Sequence, residues 1–112
     1  KAETLAAHGA VSETSVREMA RAMAMQSKAD ICLSVSGIAG PGGGTQEKPV
    51  GTIWMALAIG EQVAAWRMTV PGERELVKLR TARAAINAIR LAALHGKPPA
   101  RPTHFSVLAD GT

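Results

Sequence analysis

The stretch ICLSVSGIAGPGGGTQEKPVGTIWMALAIGEQVAAWRMTV, residues 31–70, decides the fold. It opens on the apolar run ICLSVS, too brief for an ordinary helix and rich in Ile, Leu and Val. That combination predicts an interior strand. A loop follows in which five of the chain's eleven glycines lie between Gly37 and Gly44. Beyond it, GTIWMALAI reads as a second buried strand. Gly60-Glu61 is a two-residue turn with glycine first, the chemistry of a tight hairpin. Residues 62–70 then read as the return strand. They are more polar and carry Arg67, which predicts a position nearer the sheet edge.

Helical patterns flank this core. A short helix is predicted from Glu3 to His8, ended by Gly9. Ser12 is placed to cap a second helix over residues 13–27 by accepting from a backbone N–H. Val16, Met19, Ala20, Met23 and Ala24 form its apolar face, with Arg17, Glu18 and Arg21 directed away. The methionines read as core filler. Downstream, Pro71-Gly72 breaks the third strand and residues 73–95 read as the longest helix. Leu79, Ala82, Ile86, Ile89 and Ala93 form its predicted core stripe. Arg80, Arg83, Asn87 and Arg90 share another face, read as solvated, with a partner subunit or a phosphate as alternatives. Glu73 and Glu75 suit the positive end of the helix dipole, and Gly96 is a natural stop.

Helix, strand, strand, strand, helix predicts the α/β class: a three-layer α/β/α domain with a small mixed sheet flanked by helices. Its expected extent is residues 1–96, with an irregular tail over 97–112. Three strands make a small sheet, and the chain opens on Lys1 in what reads as domain interior. Further N-terminal elements are therefore expected upstream.

The 112 residues suit one small domain, and 46% apolar content is enough for a core. Only 3% is aromatic, so Ala, Val, Ile, Leu and Met must do the packing. The net charge of +4 favours anionic partners in general, but the basic residues are dispersed, unlike a nucleic-acid tail. No apolar run reaches the ~18 residues that span a membrane, and no signal-peptide pattern opens the chain. A cytoplasmic protein with neither membrane nor nucleic-acid partner is expected. The single Cys32 excludes an internal disulfide and reads as a buried, inert thiol. His8, His95 and His104 match no metal-ligand spacing. Ser12, Ser34 and Ser36 have no His or Asp at a recognisable catalytic spacing. No self-sufficient catalytic constellation is visible.

The loop carries the remaining chemistry. Glycine admits positive φ and lets a ligand approach the backbone. Successive N–H groups can then form a concave nest for phosphate or carboxylate. Thr45 adds a hydroxyl and Lys48 a charge. A Walker A loop fails because Lys48 lies between Glu47 and Pro49. A dinucleotide fingerprint fails because the loop leads to a strand, not a helix. Connector and anion cradle both remain open on glycine content alone.

Four segments together carry a resemblance: HGAVS (residues 8–12), REMARAM (17–23), SVSGIAGPGGGTQEKPVGTIWMALA (34–58) and PGERELVKLRTARAAI (71–86). With them the chain resembles the CinA C-terminal domain family over residues 3–95. The string GIAGPGGG followed by Thr-x-x-Lys-Pro-Val-Gly is close to a signature of that family. The resemblance implies nicotinamide-nucleotide amidase activity, which converts nicotinamide mononucleotide to nicotinic acid mononucleotide and ammonia in pyridine-nucleotide recycling. It implies an α/β/α domain, usually oligomeric, often fused after a molybdopterin-binding-like domain, and needing no metal or cofactor. It also implies a substrate-binding set: Gly37, Ala39, Gly40, Gly42, Gly43, Gly44, Thr45 and Lys48. The departure is in the catalytic group. Family members carry Glu-Ser-Cys/Thr-x-Gly near the domain's start, with an assisting Tyr and Lys beyond it. This chain has no such segment and no Tyr, so the nucleophile is expected upstream of Lys1 and no catalytic residue is assigned. The alternative is a non-catalytic nucleotide-binding or competence-associated module of the same fold.

Overall fold

The structure, a computed structural model, describes residues 9–38, 40, 42–44 and 50–99. The expected helix from Glu3 to His8, the site candidates Ala39, Thr45 and Lys48, and the tail beyond residue 99 lie outside the described residues. The elements are α1 (Glu13–Ser27), β1 (Ile31–Gly37), β2 (Thr52–Ile59), β3 (Gln62–Thr69) and α2 (Arg74–His95). Ser12 is extended at φ −156° and its hydroxyl accepts from the Ser15 N–H at 3.2 Å, so α1 begins where the capping residue predicts. Lys28 ends it in the left-handed region at φ 58°. Glu73 is the N-cap of α2, and Gly96, at φ 69°, returns its N–H to the Ala92 carbonyl.

The strands lie in the order β1-β2-β3. β2 is central, pairing with β1 from Gly37↔Ile53 to Ile31↔Ile59 and with β3 from Thr52↔Thr69 to Ile59↔Gln62. The last pair encloses only Gly60-Glu61, as the hairpin chemistry requires.

Because side chains alternate across a strand, β2 feeds two cores. Ile53, Met55 and Leu57 face α2, where they pack with Trp66, Met68, Val70 and Val77 and with Ala84, Ala88 and Ala92. Ala56 and Ala58 face α1, where they meet Val16, Ala20 and Cys32. The sheet is thus covered by a helix on each side, giving the three layers. One layer is built from small residues and draws α1 close. The other sets large sheet residues against an alanine face on α2.

Five expectations change. The described strands are antiparallel throughout rather than mixed, β2 pairing antiparallel with both β1 and β3. ICLSVS pairs only with β2, so among the described strands it is an edge, not an interior strand. Met19 and Met23 are exposed while Val16 and Ala20 fill the core, so the α1 methionines are not core filler. On α2, Leu79, Ile86 and Ile89 are exposed, Ile86 at 68%, and Val77, Ala84, Ala88 and Ala92 are buried in their place. Both faces of α2 satisfy a 3.6-residue period. Met55, Leu57 and Met68 already fill the layer beneath it, which leaves room for alanine rather than leucine. Asn87 also moves from the expected solvated face into a buried position.

Candidate active-site loop

The glycine-rich loop leaves the carboxyl end of β1 and returns at the start of β2. Its base is clamped by the backbone. The Ile38 N–H donates to the Thr52 carbonyl at 2.9 Å, and the Gly51 N–H donates to the Ile38 carbonyl at 2.6 Å. Gly51 and Thr52 therefore stand together opposite Ile38, a glycine-type β-bulge with Gly51 at φ 94°. The Gly51 carbonyl accepts in turn from the Val70 N–H at 2.8 Å, which ties the exit of β3 to the same point. A Cβ on Gly51 would lie 2.5 Å from the Val70 carbonyl oxygen. Only glycine fits there.

The predicted site glycines divide into two groups. Gly37 and Gly40 belong to the frame. A Cβ on Gly37 would reach Ile53 Cδ1 at 2.2 Å, and one on Gly40, which is buried at φ 88°, would reach Val50 Cγ1 at 2.5 Å. Gly42, Gly43 and Gly44 are exposed. Nothing lies within 4 Å of a Cβ on Gly42, and Gly43, at φ 92°, has only Ile38 Cγ2 at 3.7 Å. The outer glycines thus offer accessible backbone on a fixed base, which is what an anion-binding nest needs.

Arg74, the first residue of α2, completes this end of the molecule. Its Nη1 donates to the Gly40 carbonyl at 3.1 Å. The contact ties the helix to the loop and brings a guanidinium to the glycines. Sequence reading missed this residue. The available signal was the PGER segment, which sets a basic side chain just after a chain break and hence free to fold back. The bulge was also missed, although a glycine immediately before a strand is its usual sequence mark.

Among the described residues, three serine hydroxyls are engaged with backbone carbonyls. The Ser12 hydroxyl donates to the Gly9 carbonyl at 3.0 Å, that of Ser27 to the Met23 carbonyl at 2.7 Å, and that of Ser34 to the Val16 carbonyl at 2.5 Å. Cys32 is buried with its Sγ 3.7 Å from Ser27 Oγ. Among the described residues, no group of three or more His, Cys, Asp or Glu could hold a metal ion, and no helix is long and apolar enough to cross a membrane. A cleft of about 650 Å³ bordered by Arg21, Asp30, Gly60 and Glu61 lies at the other end of the sheet. It contains none of the loop residues, so the cleft and the glycine chemistry are separate features.

Fold and loop define a small three-layer α/β domain with a glycine-rich loop whose base is hydrogen-bonded at the end of its first strand. The CinA C-terminal domain model matches residues 1–93, and the chain belongs to that family. It is 47% identical over 89 residues to a nicotinamide-nucleotide amidohydrolase of Shigella flexneri, covering 78% of this chain and 53% of that protein. It is 45% identical over 91 residues to a CinA-like protein of Gemmatimonas aurantiaca, covering 81% of this chain and 21% of that one. A crystal structure of a competence damage-inducible protein A from Klebsiella pneumoniae superposes with TM-score 0.79 at 41% identity, over 85% of this chain and 59% of that one. A related structure from Agrobacterium tumefaciens gives 0.78 at 35% identity, over 81% and 56%. The chain spans about half the length of the Shigella protein and about a fifth of the Gemmatimonas one.

Proposed function

We propose that this domain holds a nicotinamide nucleotide for hydrolysis of its carboxamide, with nicotinamide mononucleotide as substrate and nicotinic acid mononucleotide and ammonia as products. The observation that carries the reading is the loop itself: exposed glycines 42–44 on a bulge-clamped base, with Arg74 tied to Gly40. The Shigella relative's name supports the choice of ligand. In this reading the backbone N–H groups of Gly42, Gly43 and Gly44 take the phosphate or ribose, and Thr45 and Lys48 add a hydroxyl and a charge. Holding the mononucleotide in one orientation supplies proximity rather than bond-making.

The chemistry is ordinary amide hydrolysis. An activated serine attacks the carboxamide carbon, ammonia leaves, and water resolves the acyl-enzyme. Backbone N–H groups stabilise the oxyanion. The hydroxyls of Ser12, Ser27 and Ser34 are engaged with backbone carbonyls, so the nucleophile is not assigned to any of them. Those engaged hydroxyls favour a second reading for the 112-residue chain taken alone, that it binds the nucleotide without hydrolysing it. Calorimetry together with an ammonia assay separates the two. Binding of nicotinamide mononucleotide without ammonia release is the expected result for this chain. Absence of binding would contradict both readings.

A further inference from the structure

We propose, resting on the reading of the loop as a nucleotide site, that Arg80 is a positioning residue for it. Arg80 fixes the turn between β3 and α2, and through that turn the place of the Arg74 guanidinium beside the glycines. Every contact involved lies within residues 38–80. The turn is short: β3 ends at Thr69 and α2 begins at Arg74. Its entry is fastened to the loop base, where the Val70 N–H donates to the Gly51 carbonyl at 2.8 Å. Its exit is fastened to the loop itself, where Arg74 Nη1 donates to the Gly40 carbonyl at 3.1 Å.

The middle of the turn needs a restraint of its own. Gly72 stands at φ 119°, in the region that favours glycine, so the Pro71–Gly72 peptide has wide freedom to rotate. Glu73, the N-cap of α2, makes no side-chain cap hydrogen bond, so the usual device that fixes the start of a helix does not act here. Arg80 supplies the restraint. Side chains on a helix lean toward its N-terminus, and the Arg80 guanidinium reaches back along α2 to donate from Nη1 to the Pro71 carbonyl at 2.7 Å. The bond is short and charge-assisted, the stronger kind. It holds the peptide whose orientation sets where α2 starts, and hence where Arg74 stands. Arg80 bonds to Pro71 and not to the loop, so its effect on a ligand runs through Arg74.

Calorimetry with nicotinamide mononucleotide on the intact chain tests this, beside thermal melting. Arg80→Ala should weaken binding about fivefold, a coupling usual within one hydrogen-bond network, with little change in the melting midpoint. Arg80→Lys, which can still donate to the Pro71 carbonyl, should keep most of the affinity. In an Arg74→Ala background, Arg80→Ala should cost nothing further. Lys78→Ala removes a like charge from the same helix and should leave affinity unchanged. A ligand-free measurement separates the positioning role from the nucleotide reading: the Arg74 Nε–H and Gly40 N–H resonances should move in Arg80→Ala and stay in place in Arg80→Lys. If the unsubstituted chain bound no nucleotide while those resonances moved, the site assignment would fail and the tie from Arg80 to the loop would stand. Unmoved resonances, full affinity in Arg80→Ala, or additive losses from Arg74→Ala and Arg80→Ala would each overturn the proposal.

Discussion

Gly51 and Gly42 have the same side chain and opposite duties. Gly51 sits at positive φ with the Val70 carbonyl where a Cβ would go. Gly51→Ala should lower stability by about 2–3 kcal/mol, because backbone strain and a backbone clash act together. Urea denaturation measures it, and loss of less than a few tenths would contradict the bulge. Gly42 is exposed with open space around it, so Gly42→Ala should leave stability within about 0.5 kcal/mol. Its affinity for nicotinamide mononucleotide should still fall about tenfold if the ligand approaches that backbone. Arg74 separates in the same way. Its side chain is exposed, and among the described residues it makes one hydrogen bond, to the Gly40 carbonyl, so Arg74→Ala should cost binding far more than folding, read by calorimetry beside thermal melting.

At the scale of elements, β2 is buried on both faces and supplies side chains to both cores. Leu57 is fully buried between the sheet and α2, so Leu57→Ala should cost about 2–5 kcal/mol. Leu79→Ser, on the exposed side of α2, should change the stability of the single chain by less than about 0.5 kcal/mol. Comparing the two denaturation midpoints tests the assignment of faces, and a larger loss from Leu79→Ser would reverse it. Sequence pattern was enough to place every described element, because caps, turn residues and runs are local signals. Ser12, Gly60-Glu61 and Gly96 act within a few residues of where they stand. Which face of α2 turns inward was not legible, since both faces carry apolar residues at helical spacing. The outcome depends on how much space the sheet side chains leave. Arg17 shows the same limit. Its spacing directs it away from the α1 core, yet its guanidinium joins Glu13 Oε2 at 2.8 Å to the Val63 carbonyl at 3.1 Å. No local pattern encodes a partner 46 residues away.

For the molecule as a whole, the arrangement separates the packed cores from the proposed site. The cores lie between the helices and the sheet, while the glycine-rich loop and Arg74 sit outside the carboxyl end of β1, where ligands of α/β sheets commonly bind. The loop was legible as a candidate from its glycines. Its division into frame and exposed glycines was not, because that depends on Val50, Ile53 and Val70 reaching back to it from later in the chain. The central claim is that this loop holds a nicotinamide nucleotide. Titrating nicotinamide mononucleotide into the isotopically labelled chain, while following the backbone amides by NMR, tests it most directly. Saturable shifts concentrated at Gly37, Gly40, Gly42, Gly43 and Gly44, and weakened in Arg74→Ala, are the predicted result. No saturable shifts, or shifts confined to the cleft around Arg21 and Glu61, would contradict it.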